Sequence, residues 1–191
     1  IGGCDDEQCY SEVFLLTVQG DSIRIDSNYP SLPVPLANMT ASLIDNKVFV
    51  AGGQEGMHIQ SASSHFFMLD LDDIKAGWKA LSSWPGAPRG YAVSAGQSDG
   101  FDKCFYLFSG RNYHDDVVDV LTDGYVYNPR LKTWKKLKGY FPVMAGAAVA
   151  HNFGLASSGE GPTANGKIAV VIGFVVLMVI AIVNSMRKRE A

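Results

Sequence analysis

Two arginines stand where a fixed cation could bind an anionic ligand. Arg89 follows Trp84-Pro-Gly-Ala-Pro88 where a strand begins, and Arg111 follows directly on Ser109-Gly110. An arginine so placed can hold a carboxylate through two parallel hydrogen bonds, a fork that lysine does not reproduce. The competing role is structural. A ligand-binding Arg89 is expected free in a channel, opposite an acid or a histidine; a scaffold Arg89 is expected tied into an ion pair between neighbouring units. Three histidines, His58, His65 and His114, lie in or at the end of long polar segments. His65 alternates with apolar neighbours and reads as a satisfied buried or rim histidine. Asp115, Asp116 and Asp119 lack the Gly and Glu spacing of a calcium loop, so they read as a solvated acidic loop and no metal is expected. Gly52, Gly53 and Gly110 are not followed by a helix, which excludes a phosphate cradle. Cys4 and Cys9 are close enough for a small disulfide in an oxidising compartment; two free thiols are equally compatible, and a zinc site needs more ligands than lie nearby. Cys104 reads as a small core residue.

These residues sit on a unit repeated nearly three times. Each copy has an apolar strand ending in Gly-Gly or Ser-Gly, a polar loop, an aromatic strand, a Trp-bearing strand and a Pro-rich turn. Val48-Phe-Val-Ala-Gly-Gly53, Phe66-Phe-Met-Leu-Asp70 and Gly77-Trp-Lys-Ala-Leu81 are answered by Phe105-Tyr-Leu-Phe-Ser-Gly110, Tyr125-Val-Tyr-Asn128 and Thr133-Trp-Lys-Lys-Leu137. A partial first copy has Ile1-Gly-Gly3, Val13-Phe-Leu-Leu16, Ile23-Arg-Ile25 and Leu32-Pro-Val-Pro35. Gly3 to Gly53 is 50 residues, Gly53 to Gly110 is 57 and Trp78 to Trp134 is 56. Four strands at a period near 50 predict an all-β fold, a partial kelch-type β-propeller of about three blades. Propellers close with roughly 4–8 blades, so the 191 residues read as a fragment of a longer ring. Trp78 and Trp134 recur at one blade position and are expected to pack.

In an up-and-down blade the b–c loops and d–a turns open on one face. Here the expected b–c loops are 4–11, 54–64 and 111–122, and the d–a turns are 32–38, 82–90 and 139–145. The a–b connections, 45–47 and 97–103, carry only turn chemistry. A working face is therefore expected where the b–c loops and d–a turns meet.

Charge and hydropathy divide the chain. Residues 1–166 carry 12 Lys or Arg against 18 Asp or Glu, while residues 167–191 carry four basic residues and one acidic. An acidic body argues against nucleic acid. From Ile168 to Val183 every residue is apolar or Gly, and Asn184, Ser185 and Met186 extend the uncharged run to Arg187-Lys-Arg189. That length suits a hydrocarbon core of roughly 30 Å, and the basic stop predicts a cytoplasmic C-terminus. The expected organisation is a partial propeller over 1–156, a linker over 157–167, a transmembrane helix over 168–186 and a basic tail over 187–191. The blades are then expected outside the cytoplasm.

Gly2-Gly-Cys-Asp5, Cys9-Tyr-Ser-Glu-Val-Phe-Leu-Leu16, Leu32-Pro-Val-Pro-Leu-Ala-Asn38, Val48-Phe-Val-Ala-Gly-Gly-Gln54 and Trp84-Pro-Gly-Ala-Pro-Arg89 together resemble the bacterial N-acetylneuraminate epimerases, the sialic acid mutarotases, in their cyclically permuted branch. The resemblance implies interconversion of α and β anomers of N-acetylneuraminate ahead of uptake, with sialic acid as substrate and no cofactor. It also implies a fused or neighbouring sugar transporter as partner, since some members of that branch are joined to sodium:solute symporters. Under it, Arg89 holds the substrate carboxylate, with Arg111 as second candidate. Glu55 and His114 are expected to move protons, and Gln54 and Asn38 to hydrogen-bond hydroxyls or the N-acetyl group. The resemblance covers about residues 1–150 and lacks about half of a six-bladed ring. The rival reading is a non-catalytic, membrane-anchored kelch module that binds a sugar or a protein through the same face. A copper oxidase of the galactose oxidase kind is disfavoured, because its Tyr, Cys and His set is not evident.

Overall fold

The computed structural model describes residues 1–141; the segment that holds the expected linker, membrane helix and basic tail lies outside the described residues. Fourteen strands, β1 Gly3–Cys4, β2 Cys9–Tyr10, β3 Leu15–Gln19, β4 Ser22–Asp26, β5 Thr40–Ile44, β6 Lys47–Ala51, β7 Phe66–Asp70, β8 Lys79–Ala80, β9 Val93–Ser98, β10 Lys103–Phe108, β11 Arg111–His114, β12 Val117–Val120, β13 Gly124–Asn128 and β14 Thr133–Lys136, account for the regular structure of the described residues besides two single 3-10 turns, Ile59–Ser61 and Ile74–Ala76. No helix among the described residues is long and apolar enough to cross a membrane.

Two complete blades are present. β5-β6-β7-β8 and β9-β10-β13-β14 are antiparallel four-stranded sheets with the strands in chain order from the inside outward. The first copy contributes two hairpins, β1–β2 and β3–β4. Of its outer strands, β3 begins two residues later than the sequence repeat suggests, at Leu15, and β4 one residue earlier, at Ser22. The β3–β4 ribbon leaves Leu15, Leu16, Val18, Ile23 and Ile25 exposed.

Blades stack because their middle strands are apolar on both faces. In β6, Phe49 and Ala51 face the third blade while Val48 and Val50 face the first, and Phe66 and Phe67 of β7 divide in the same way. This is the period of two of an extended chain, whose successive side chains take opposite faces. Between the second and third blades Phe66, Phe105, Tyr127 and Trp134 interlock with ring centroids 4.8–6.1 Å apart. Such aromatic pairs add ~0.5–1.5 kcal/mol each beyond burial. At the inner edge Ser94 Oγ meets Thr40 Oγ1 at 2.7 Å and Ser42 Oγ at 2.9 Å, joining the two innermost strands.

The repeated tryptophans have a shared task. Trp78 donates its indole N–H to Pro30 O (2.8 Å) and Trp134 donates to Ser82 O (2.7 Å). Each therefore ties the outer edge of its blade to the turn entering that blade. The expected third b–c loop is not a plain loop. It folds into the β11–β12 hairpin, with Asp115 and Asp116 both at positive φ in the turn. Two left-handed residues are what a two-residue hairpin turn of the favoured hand requires. These aspartates are turn residues first, and their polarity hid the Val117-Val118-Asp119-Val120 strand that returns beside β11.

Candidate functional site

The rim where b–c loops meet d–a turns is built by one backbone device used repeatedly. Gly3 N donates to Leu36 O and Gly53 N donates to Arg89 O, both at 2.8 Å. Ala37 and Gln54 then exchange backbone bonds at 2.9 and 2.7 Å, as Gly90 and Arg111 do at 3.0 and 2.8 Å. Leu36-Ala37-Asn38 and Arg89-Gly90-Tyr91 are thus equivalent triplets, and Cys4, Gln54 and Arg111 are equivalent rim positions. Gly52 has φ +65°, and a Cβ there would collide with the Arg89 carbonyl. The glycine pair serves this close approach of two chains.

The side chains at the rim form two neighbouring pairs. Asn38, at φ +54°, donates Nδ2–H to Gln54 Oε1 at 2.6 Å. Gln54 is buried, 2% exposed, and its stem lies against Gly90. Tyr91, also at positive φ, donates its backbone N–H to Asn38 O at 2.8 Å. Its ring carries the Arg111 guanidinium at 5.8 Å from the centroid. Arg111 Nε is buried without a hydrogen-bond partner among the described residues, as is the Ser63 hydroxyl. A buried N–H left unpaired costs ~1–3 kcal/mol, so an acceptor that entered here would recover that cost. Tyr91 was absent from the sequence-level candidates. Aligning Arg89-Gly90-Tyr91 with Leu36-Ala37-Asn38 would have found it.

Glu55 follows Gln54 in the same loop and is half exposed. Its Oε1 lies 2.8 Å from His65 Nε2, and the imidazole stacks on Phe67 at 5.1 Å. His65 was expected to be a satisfied buried or rim histidine; its partner is the carboxylate expected to move protons. His114 ends β11 opposite Val117, and that strand runs beside the 3-10 turn Ile59–Ser61.

Arg89 requires a correction. It does not project into a channel: it is 0% exposed, sealed between the second and third blades. Its guanidinium grips Asp123 with two bonds, 2.9 and 3.4 Å, while Nη1 also donates to Ser109 O at 2.9 Å and Nε to Ala87 O at 3.2 Å. Trp84 and Tyr125 flank it at 5.3 and 5.4 Å. Burial pulls the Asp123 carboxyl up, but hydrogen bonds from Arg89 and Tyr125 outweigh it and hold it below its ordinary range. Burial, and then the bond to Asp123, push the Tyr125 phenol up to about 12. The pair satisfies itself, and no face of Arg89 is left for a ligand. Its fork geometry is used, but on a carboxylate of its own chain.

Residues 29–156 match the family model for NANM, N-acetylneuraminate epimerase. The N-acetylneuraminate epimerase of Yersinia pestis (strain Pestoides F) is 31% identical over 134 residues, which cover 67% of this chain and 31% of that protein. That of Haemophilus influenzae (strain PittEE) is 34% identical over 110 residues, 57% of this chain and 26% of its own. A kelch domain-containing protein of Vibrio cholerae serotype O1 is 30% identical over 118 residues, 59% of this chain and 29% of its own. The solved structure of YjhT superposes with a TM-score of 0.54 at 27% identity, over 65% of this chain and 34% of that one. The chain thus spans about a third of the length of the relatives it matches.

Proposed function

Since the chain belongs to the N-acetylneuraminate epimerase family over residues 29–156, we propose that it contributes one sector of a propeller that interconverts the α and β anomers of N-acetylneuraminate. The observation that carries the reading is the Arg111 guanidinium, seated on Tyr91 with a buried Nε that has no partner. A sugar carboxylate supplies the missing acceptor, so the carboxylate role moves from Arg89 to Arg111. Asn38 and Gln54, already joined at 2.6 Å, present their remaining amide groups to hydroxyls or the N-acetyl group.

Mutarotation requires paired proton transfers. A base removes the anomeric hydroxyl proton while an acid protonates the ring oxygen; the ring C–O bond breaks, and the open-chain keto form recloses on its other face. Glu55 is the base, and its neighbour His65 is the acid, with His114 on the adjacent hairpin as the alternative donor. Positioned acid–base groups contribute on the order of 10²–10⁴-fold, enough for a reaction that already proceeds unaided.

Location belongs to the same proposal. The apolar run from Ile168 to Val183, uncharged as far as Met186, and the Arg187-Lys-Arg189 stop support a membrane anchor with the blades outside the cytoplasm, next to a sugar transporter. One observation favours a second reading, a non-catalytic module that binds a sugar or a protein through this rim: Arg89 is locked into the scaffold, as a structural role demands.

Anomer exchange of N-acetylneuraminate, followed by proton NMR with the full chain and with Arg111→Ala and Glu55→Gln, tests both. Acceleration lost in both variants supports the mutarotase. Saturable binding without acceleration, lost in Arg111→Ala, supports the binding module. A folded chain that neither accelerates nor binds the sugar sinks the site.

A further inference from the structure

We propose that Cys4 and Cys9 form a redox-active pair that closes to a disulfide across the β1–β2 hairpin. The register places the two residues directly opposite each other. Which kind of opposite pair they make is decided one step on, where Asp5 N donates to Gln8 O at 3.0 Å. Backbone bonds alternate along an antiparallel ladder, so Asp5 and Gln8 are a hydrogen-bonded pair and Cys4 and Cys9 are not. In that second class the Cα atoms stand about 4.5 Å apart, with side chains closest, inside the roughly 4.4–6.8 Å that a disulfide spans. A slip of one residue would put the two thiols on opposite faces.

The hairpin is held in that register from both sides. Asp5 Oδ1 accepts the backbone N–H groups of Glu7 and Gln8, each at 2.8 Å, and its other oxygen accepts the Tyr10 hydroxyl. Gly3 N donates to Leu36 O and Leu36 N to Tyr10 O, which clamps the ribbon to the turn leading to Asn38. Cys4 is exposed and Cys9 half-buried. Burial, and then the neighbouring Cys4 thiol, raise the Cys9 pKa. Cys104 differs from both: it is buried in β10 and burial pushes its thiol up to about 12.

Exposure makes Cys4 the first to react. Its thiolate attacks a small-molecule disulfide such as oxidised glutathione, forming a mixed disulfide and releasing one thiolate. Cys9, once deprotonated, attacks the Cys4 sulfur; the second glutathione leaves, and the two protons end on the two glutathione thiols. The two cysteines lose two electrons and glutathione disulfide gains them. Closure pins the ribbon that supports Leu36 and, through it, the rim at Asn38. Nothing in this inference depends on the sugar chemistry.

The full chain, reduced and then equilibrated with oxidised glutathione, is alkylated, cleaved after Glu7 and weighed. The expected result is the loss of two hydrogens with no glutathione retained, the peptides on either side of Glu7 joined to each other, and both thiols lost to alkylation. Cys104 is expected to alkylate only after unfolding. The Cys4→Ser variant should instead keep glutathione on Cys9. Closure should be faster in the folded chain than in urea, where the register is absent. Two alkylated thiols, a lasting glutathione adduct on the parent protein, a link between two chains, or equal rates in urea and buffer would each overturn the pairing.

Discussion

The seam between the first and second blades and the seam between the second and third are built on the same backbone but filled with opposite chemistry. Leu36 and Arg89 occupy equivalent positions, both fully buried. The residues across from them are equivalent too: Gly52 N donates to His65 O, and Ser109 N donates to Asp123 O. Across one seam Leu36 holds the position of Arg89 and His65 that of Asp123, and an apolar leucine offers the imidazole no hydrogen bond. His65 is then free to turn to Glu55 at the rim. In the other seam the pair is Arg89 with Asp123, and each consumes the other. The lesson is that a carboxylate or histidine at this blade position becomes available for chemistry only when its seam partner is apolar.

The largest expected effect breaks the ionic seam. Arg89→Ala strands Asp123, whose side chain is only 24% exposed, beside a cavity. Removing one member of a buried pair costs ~3–5 kcal/mol, to be read from the urea midpoint by the fluorescence of Trp84 and Trp134. If Arg89→Ala leaves that midpoint in place, the seam is not ionic in solution. Converting one seam into the other should cost much less. Arg89→Leu combined with Asp123→Leu gives the apolar chemistry of the first seam, and well-packed apolar replacements of buried pairs are often neutral or stabilising by ~1–4 kcal/mol. The double variant is therefore expected above Arg89→Ala in stability, and a result below it would reject the equivalence.

The tryptophan ties should be alike in both seams. Trp78→Phe and Trp134→Phe each forfeit one hydrogen bond, to Pro30 O and Ser82 O, at ~1 kcal/mol apiece. Trp134 also packs on Phe66, Trp84, Phe105 and Tyr127, so the larger loss in thermal unfolding is expected for Trp134→Phe, and equal losses would show that these ring contacts add nothing. Acid separates the seams further. Asp123 is held below its ordinary value of 3.8, so it contributes stability that is complete above that value and lost as pH falls through its lower folded one. Other carboxylates, Asp70, Asp99 and Asp102, are lowered as well, so Asp123→Asn should flatten only part of the acid limb. The smallest effect belongs to the first seam: Glu55→Gln removes an exposed pair worth ~0–1 kcal/mol. Its stability should scarcely move while anomer exchange falls.

How much of this was legible in the chain differs from element to element. The blades were, because Phe49 and Phe66 alternate with Val50 and Phe67 in strands whose period is local. The rim was legible as a set of loops, but the Asn38–Gln54 hydrogen bond was not, because it joins residues 16 positions apart. The β11–β12 hairpin was not, because Asp115 and Asp116 look like a solvated loop until their left-handed backbone is seen. The pairing of His65 with Glu55 was not either: alternation pointed to a satisfied residue without saying which group satisfies it. Arg89 is the clearest case, since its type foretold a bidentate carboxylate but not whose.

What the amino-acid order determined alone is the repeating blade, the glycine pair that lets turns approach strands, and the tryptophan at each outer edge. All three depend on spacing within about fifty residues and on local backbone preference. Only the tertiary structure decided the partners. Arg89, in the turn that joins the second and third blades, and Asp123, just before β13, lie 34 positions apart, and Glu55 reaches His65 across the loop between β6 and β7. Neither pairing follows from strand period. The first is set by how the turn between blades is buried, because a buried charge must find its counter-charge there, and the second by how a single loop folds back on itself.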